Sequence, residues 1–335
     1  MKLSIGLNGD SGIEQLTARP HALEVFRRYQ AELILWCVKG VPGEPRRHFK
    51  DGTPESANYE DLCRVDLFAT LKRAGIPLVL HEGATKADDH YGDKLRDRMR
   101  KAIDGVNAAG GQVAGFTLDS PLRHGVEGRF HIPGDGYLKT IDATADVVSN
   151  FIREARERGA WCAIHDAWPY HSFYEHLTFL DALRARHAAP VRFIFDLDLQ
   201  AFQYPRTWWE ILTGRGKDKD LAFHYPKLRQ FCGLLRDRGI EAACTIMGSG
   251  TIADAADFAA KTRDYSTHMR DAFDGSLDRI QVESWATQEG SGEHPDYGRR
   301  WIPPLTVGVV PEIVSVDQTA LGLAEAVAQE WGMTA

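Results

Sequence analysis

At 335 residues, with 43% hydrophobic and 26% charged side chains, the chain has the make-up of a globular protein that can bury a large core. That composition excludes a collagen, a coiled coil and a wholly disordered chain. Forty basic against 47 acidic residues leave a formal charge of −7, which argues against a nucleic-acid partner because neutralising phosphates takes clustered Lys and Arg.

The N-terminal MKLSIGLNGD holds a short apolar run that reads as a strand, not as the hydrophobic region of a secretion signal. Further strands are predicted in chain order. The eight spans are Lys2–Leu7, Glu32–Val38, Ile76–His81, Gln112–Asp119, Trp161–Asp166, Val191–Asp198, Glu241–Met247 and Arg279–Ser284. Amphipathic stretches of helical length lie between them, notably Leu138–Arg158 and Thr251–Asp274. Eight β-then-α units predict a single-domain (β/α)8 barrel over residues 1–335. An open doubly wound sheet would place a GxGxxG turn after the first strand, and Asn8-Gly9-Asp10-Ser11-Gly12 is not one.

Three helix-to-strand junctions are short and alike, each with a glycine (Gly75, Gly159, Gly239) where a left-handed helix cap is needed. The long connections, 39–58, 120–136, 199–226 and 286–318, all follow strands. Short loops at one end and long loops at the other predict one functional face, at the C-terminal ends of the strands. No run approaches about 18 apolar residues, so no membrane span is expected, and the expected compartment is the cytoplasm. The cysteines are five, with no CxxC pair, and most sit in apolar runs; free buried thiols are expected, not disulfides or a thiolate zinc site.

Strand parity predicts which side chains enter the barrel. Ser4, Gly6 and Asn8 share one face of the first strand, Gly115, Thr117 and Asp119 one face of the fourth. Ile194, Asp196 and Asp198 do so in the sixth, Thr245 and Met247 in the seventh, and Gln281, Glu283 and Trp285 in the eighth. The third and fifth strands are apolar on both parities, so His81 is not separated from Glu82, nor His165 from Asp166. The predicted mouth gathers Asn8, Trp36, His81, Glu82, Asp119, His165, Asp166, Asp196, Asp198, Glu283 and Trp285.

Burying so many carboxylates without a purpose is costly. Asp119, Asp196 and Glu283 lie on alternate strands at the inward parity, as paired carboxylates for acid–base or nucleophilic work require. Trp36, Trp168 and Trp285 fall at strand ends, and Trp208, Trp209 and Trp301 in the long loops, where aromatic faces can stack on pyranose rings. Trp161 and Trp331 read as core. Gly248-Ser249-Gly250-Thr251 reads as a turn and helix cap before a phosphate cradle, and the alternating charges of 215–220 as a solvated surface before a lid.

The layout resembles the xylose-isomerase-like sugar barrels and, at the level of architecture, glycosidase barrels. The residues that carry the resemblance are KLSIGLN at the start, WCAIHDAW in the fifth strand, FIFDLDL in the sixth and IQVESW in the eighth. The resemblance implies a sugar-active TIM barrel with Asp196 and Glu283 at metal-ligand positions. His165 stands where that family usually has glutamate, the sixth strand lacks the family's following histidine, and Thr245-Ile246-Met247 offers none on the seventh. A metal-free site is therefore expected, with manganese or magnesium as the alternative.

The expected function is that of a carbohydrate-active enzyme, foremost a glycoside hydrolase with Asp119, Asp196 and Glu283 as its catalytic carboxylates. Asn8, Trp36, His81, Glu82, His165, Asp166, Trp168, Asp198 and Trp285 are the candidates for binding a small-molecule or oligosaccharide substrate. The alternatives are a divalent-metal-dependent sugar isomerase or epimerase, and a non-enzymatic sugar-binding barrel.

Overall fold

The computed structural model describes residues 1–7, 13, 16–45, 57–84, 92–126, 137–168, 170–197, 221–247, 251–252, 254–283, 286–288, 299–301 and 319–334. Eight parallel strands close into a barrel: β1 Lys2–Gly6, β2 Glu32–Trp36, β3 Leu78–Gly83, β4 Val113–Asp119, β5 Trp161–Trp168, β6 Arg192–Leu197, β7 Glu241–Ile246 and β8 Arg279–Glu283. β8 pairs with both β7 and β1, which closes the ring. The helices between them are α1 Pro20–Arg28, α2 Tyr59–Arg64, α3 Leu67–Ala74, α4 Asp93–Ala108, α5 Pro121–Gly125, α6 Ile141–Glu157, α7 Phe173–Ala185, α8 Leu221–Asp237 and α9 Ala255–Phe273, with α10 Ala320–Glu330 after β8. This is the (β/α)8, or TIM, barrel that the alternation predicts. No helix among the described residues is long and apolar enough to cross a membrane, and all five cysteines are free thiols.

Several boundaries differ from the predicted ones, each for a local reason. β3 starts at Leu78 because Ile76 is spent on closing α3, its N–H bonding to Leu71 O, and Pro77 has no N–H to give. β2 stops at Trp36, where Cys37–Gly40 winds into a 3-10 turn. β5 runs two residues further, to Trp168. α6 starts at Ile141 because the Thr140 hydroxyl caps Ala143 N, and α9 at Ala255 because the Asp254 carboxylate caps Asp257 N. Thr251–Ile252, expected to be helical, pairs instead with Ala286–Gln288 in a small separate sheet.

The three junction glycines behave alike. Gly75, Gly159 and Gly239 have φ of 68°, 83° and 71°. In each case the glycine N–H bonds three residues back and the next N–H five residues back, as in Gly159 to Arg156 O and Ala160 to Ala155 O. This double closure needs the left-handed conformation that glycine adopts without strain.

Parity divides the side chains as predicted. Leu3, Ile5, Phe116, Leu118, Phe193, Phe195, Leu197, Ile280 and Val282 belong to the core between sheet and helices. Phe193, Phe195 and Phe231 pack with ring centroids 5.1–5.5 Å apart, contacts worth about 1 kcal/mol each beyond the area buried. Inside the barrel, Ala163, Ile194 and Ala243 form a small apolar plug, with Trp161 packed against it.

Below the plug lies an ionic layer. Arg192 donates two hydrogen bonds to Glu32, at 3.0 and 3.1 Å, and one to Glu241 at 2.8 Å. Arg279 reaches Leu3 O and Ser4 Oγ, and Ser4 in turn donates to Glu32. The Arg192 guanidinium also sits 4.9 Å over the Trp161 ring.

Gly115 is fixed by that same indole. A Cβ at position 115 would come 2.2 Å from Trp161 Cδ2, a distance that no packed atom tolerates. Gly115→Ala should therefore destabilise the fold by about 3 kcal/mol in urea unfolding, and G115A/W161L should recover most of it. An unchanged unfolding midpoint in the single variant would show that Trp161 does not hold this position.

Candidate active site at the strand ends

Above the plug, the C-terminal ends of β3, β4 and β5 bring three side chains together. His81 Nε2 lies 3.9 Å from Asp119 Oδ2, and His165 Nδ1 lies 3.6 Å from Asp119 Oδ1. The two imidazoles meet edge to face, with centroids 5.4 Å apart. Both histidines are buried, whereas the Asp119 side chain keeps 29% of its surface exposed and so opens the cluster to the mouth.

The barrel's stagger creates this grouping. Asp119 is in register with His165 on one side and Gly83 on the other, while His81 sits opposite Thr117. The carboxylate thus stands one step above His81 and beside His165.

Neighbouring residues hold the cluster in place. The Ser120 hydroxyl donates to Asp119 Oδ1 at 3.0 Å, from a backbone with φ of 50°, strained for a residue bearing a Cβ. His165 Nε2 is hydrogen-bonded to Thr245 Oγ1 at 2.9 Å. The ring of Trp36 meets His81 edge-on at 4.8 Å. Glu283 is buried beside this group, its Oε1 accepting from the Gln281 amide at 2.5 Å, and Gly6 makes room for it, since a Cβ there would lie 3.0 Å from Glu283 Cγ.

Electrostatics follow from the geometry. Desolvation opposes ionising Asp119, but the His81 and His165 imidazoles outweigh it and hold the carboxyl well below the usual range. Burial likewise opposes protonating His81, yet the carboxylates of Asp119, Glu283 and Glu82 raise its pKa above the ordinary imidazole value.

Sequence-predicted residues divide cleanly. Trp36, His81, Asp119, His165 and Glu283 meet at the mouth. Asp196 sits at the inward parity of β6, in register with Ala167 and half-buried. The pairs that parity did not rank are resolved by it here, and Glu82 and Asp166 face the helices. Glu82 accepts from Arg98 of α4 at 2.7 Å. Asp166 accepts from Leu122 N and Ala167 N, both at 2.9 Å, and so ties down α5; burial pushes its pKa up to about 7 against these bonds. Trp168 also faces outward and stacks on Phe173 in the core. Asn8, Asp198 and Trp285 lie outside the described residues, as do Trp208, Trp209, Gly248–Gly250 and the 215–220 segment.

Ser120, Thr117 and Gln281 complete the surroundings of the cluster, and the sequence singles out none of them for a role. Parity alone places Thr117 and Gln281 inward, but Ser120 carries no such signal.

Towards the C-terminal end of the barrel interior, four buried polar atoms have no hydrogen-bond partner among the described residues: His81 Nδ1, Thr117 Oγ1, His165 Nδ1 and Gln281 Oε1. Buried polar groups are almost always paired, so this group of atoms at one barrel end singles it out as the candidate site. Among the described residues, His81, Asp119 and His165 are also the one set of three side chains whose donor atoms, all within 4.8 Å of one another, can share a metal ion. Asp196 and Glu283, the ligand positions implied by the sugar-barrel resemblance, are brought into no such set. Among the described residues, the donors that come together are therefore not those the family's metal site would use.

No protein-family model and no curated protein sequence matches the chain. Solved structures similar to it include D-allulose 3-epimerase from Methylomonas sp. (12% identity, 98% of this chain and 97% of that one, TM-score 0.49). A psychrophilic glycoside hydrolase family 10 endo-β-1,4-xylanase is similar at 11% identity over 98% of this chain and 96% of that one, with a TM-score of 0.49. A glucosidase from Croceicoccus marinus is similar at 10% identity and a TM-score of 0.47; 91% of this chain spans 62% of its length. These likenesses concern the barrel fold.

Proposed function

We propose that the chain is a carbohydrate-active enzyme that moves a proton on a small sugar, as an isomerase or epimerase does, at the C-terminal mouth of the barrel. The observation that carries this reading is the set of unpartnered buried polar atoms around Asp119, beside the ring of Trp36. Hydroxyl and carbonyl oxygens of a sugar satisfy such atoms, while the aromatic ring covers the C–H face. His81, His165 and Glu283 are each 5% exposed or less, which suits a substrate of monosaccharide size better than a polymer.

The chemistry follows from the two carboxylates. Asp119, held ionised beside the imidazoles, serves as a fixed negative charge. Glu283, oriented by Gln281, is the base. It takes the proton from a hydroxyl-bearing carbon next to a carbonyl, and the electron pair moves onto the carbonyl oxygen to give an enediolate. Returning the proton to the former carbonyl carbon, while the hydroxyl proton passes to the other oxygen, isomerises the sugar; protonation of the original carbon from the opposite face by water, with Glu283 giving up its proton to solvent, epimerises it. Buried donors around the cluster stabilise the developing oxyanion.

A glycoside hydrolase is the second reading, favoured by the inward parity shared by Asp119, Asp196 and Glu283. Incubating the protein with a panel of aldoses and ketoses in deuterium oxide, with and without added divalent ions, separates the two. Deuterium should enter the sugar at the carbon beside the carbonyl, and Glu283→Gln should slow that exchange by about 10²-fold or more. Cleavage of aryl glycosides or oligosaccharides without any exchange would replace the proposal with the second reading.

A further inference from the structure

We propose that His81, Asp119 and His165 form a site for one divalent transition-metal ion, on β3, β4 and β5 and not on the later strands where the sugar-barrel resemblance would put it. The proposal deepens the reading above by naming the electrophile at the same mouth.

The spacing suits a shared ion. The contacts from Asp119 to His81 and His165, at 3.9 and 3.6 Å, are too long for hydrogen bonds, which close to about 2.7–3.2 Å. Nitrogen and oxygen donors at about 2.1 Å from a shared ion stand about 3.0 Å apart at a right angle and about 3.4 Å apart at the tetrahedral angle. The two contacts end on different oxygens of Asp119 and the three donor atoms lie within 4.8 Å of one another, so side-chain movements of about 1 Å gather them around one ion.

The lone pairs point the same way. His165 is 5% exposed, its Nε2 engages Thr245, and its Nδ1 faces Asp119 Oδ1 with no hydrogen-bond partner. When Nε2–H donates to Thr245, Nδ1 presents a lone pair toward a carboxylate oxygen. Two acceptors then face each other across a buried gap, and a cation between them removes the repulsion. Thr245 on His165 and Ser120 on Asp119 supply the outer hydrogen bonds that orient metal ligands.

The donor types select the ion. Two imidazoles and one carboxylate suit manganese, iron, cobalt or zinc, whereas magnesium and calcium prefer oxygen sets. Three protein ligands leave positions open, and two adjacent sugar oxygens can fill them.

Metal binding is measured directly on protein dialysed against a chelator, with no need for turnover. Titration with Zn2+ followed by calorimetry should give one ion per chain. Titration with Co2+ should give the visible absorption of a bound ion together with shifted proton resonances from coordinated imidazoles. Asp119→Asn and His165→Gln should each weaken binding about 100-fold or more, and Thr245→Val, which removes only the outer hydrogen bond, about tenfold. Glu283→Gln should bind the ion normally while losing proton exchange, which separates failure of this proposal from failure of the functional one. No binding of Zn2+ or Co2+ below millimolar concentration overturns the site. So does Co2+ binding without imidazole resonances, or affinity unchanged in folded Asp119 and His165 variants.

Discussion

Replacing Asp119 by asparagine should lower turnover on the true substrate by about 10²–10³-fold while leaving the protein folded. The variant keeps the shape of the side chain and removes its charge. That charge faces two buried imidazoles, and the Ser120 hydroxyl is aimed at it. Loss of a fixed charge or oriented donor at a reacting centre usually costs a factor of this size. Stability should change little, because the Asp119 side chain sits half-open at a strand end and not in the core. Steady-state kinetics and thermal unfolding of the same preparation check both halves. Turnover within about threefold of the parent protein would mean that the reaction takes place elsewhere.

Arg192→Ala should cost about 3–5 kcal/mol of stability with no direct effect on the mouth, since it leaves Glu32 buried and short of its bidentate partner at the opposite end of the barrel. Chemical denaturation measures the loss. R192L/E32L, which removes both charges, should lose clearly less than the single variant, because an unpaired buried charge is worse than an apolar pair.

The same cluster predicts a pH effect. Burial alone would raise the pKa of Glu241, but Arg192 and Arg279 more than offset this and lower it. A carboxylate with a depressed folded-state pKa stabilises the fold at neutral pH, and that contribution is lost as pH falls through the lowered value. Without Arg192 the Glu241 pKa moves back toward its unfolded value, so acid unfolding should begin at higher pH in Arg192→Ala. An onset of acid unfolding unchanged from the parent would show that Arg192 does not set it.

Much of this architecture was legible in the sequence because it rests on local physics. A parallel strand needs apolar outward residues for its helices, a helix ending on a tight turn needs Gly75, Gly159 or Gly239, and side chains alternate along a strand. Those rules give eight units and one busy face. They also place Asp119, Thr117, Gln281 and Glu283 inward without reference to any contact.

Where both faces of a strand are buried, alternation falls silent. His81 and Glu82, like His165 and Asp166, are adjacent polar residues in apolar strands, and only the closed barrel sends one inward and the other to the helices. Trp168, which sequence position recommends for stacking on a sugar, is turned by the same parity onto Phe173. The ionic layer was equally hidden. Glu32, Arg192, Glu241 and Arg279 each open a strand, where charges usually face water, and only closure stacks them on one axis. The His81–Asp119–His165 cluster depends on the stagger between strands, a property of the ring as a whole. Sequence determined which residues the barrel had to place at its mouth; closure and stagger decided which of them touch.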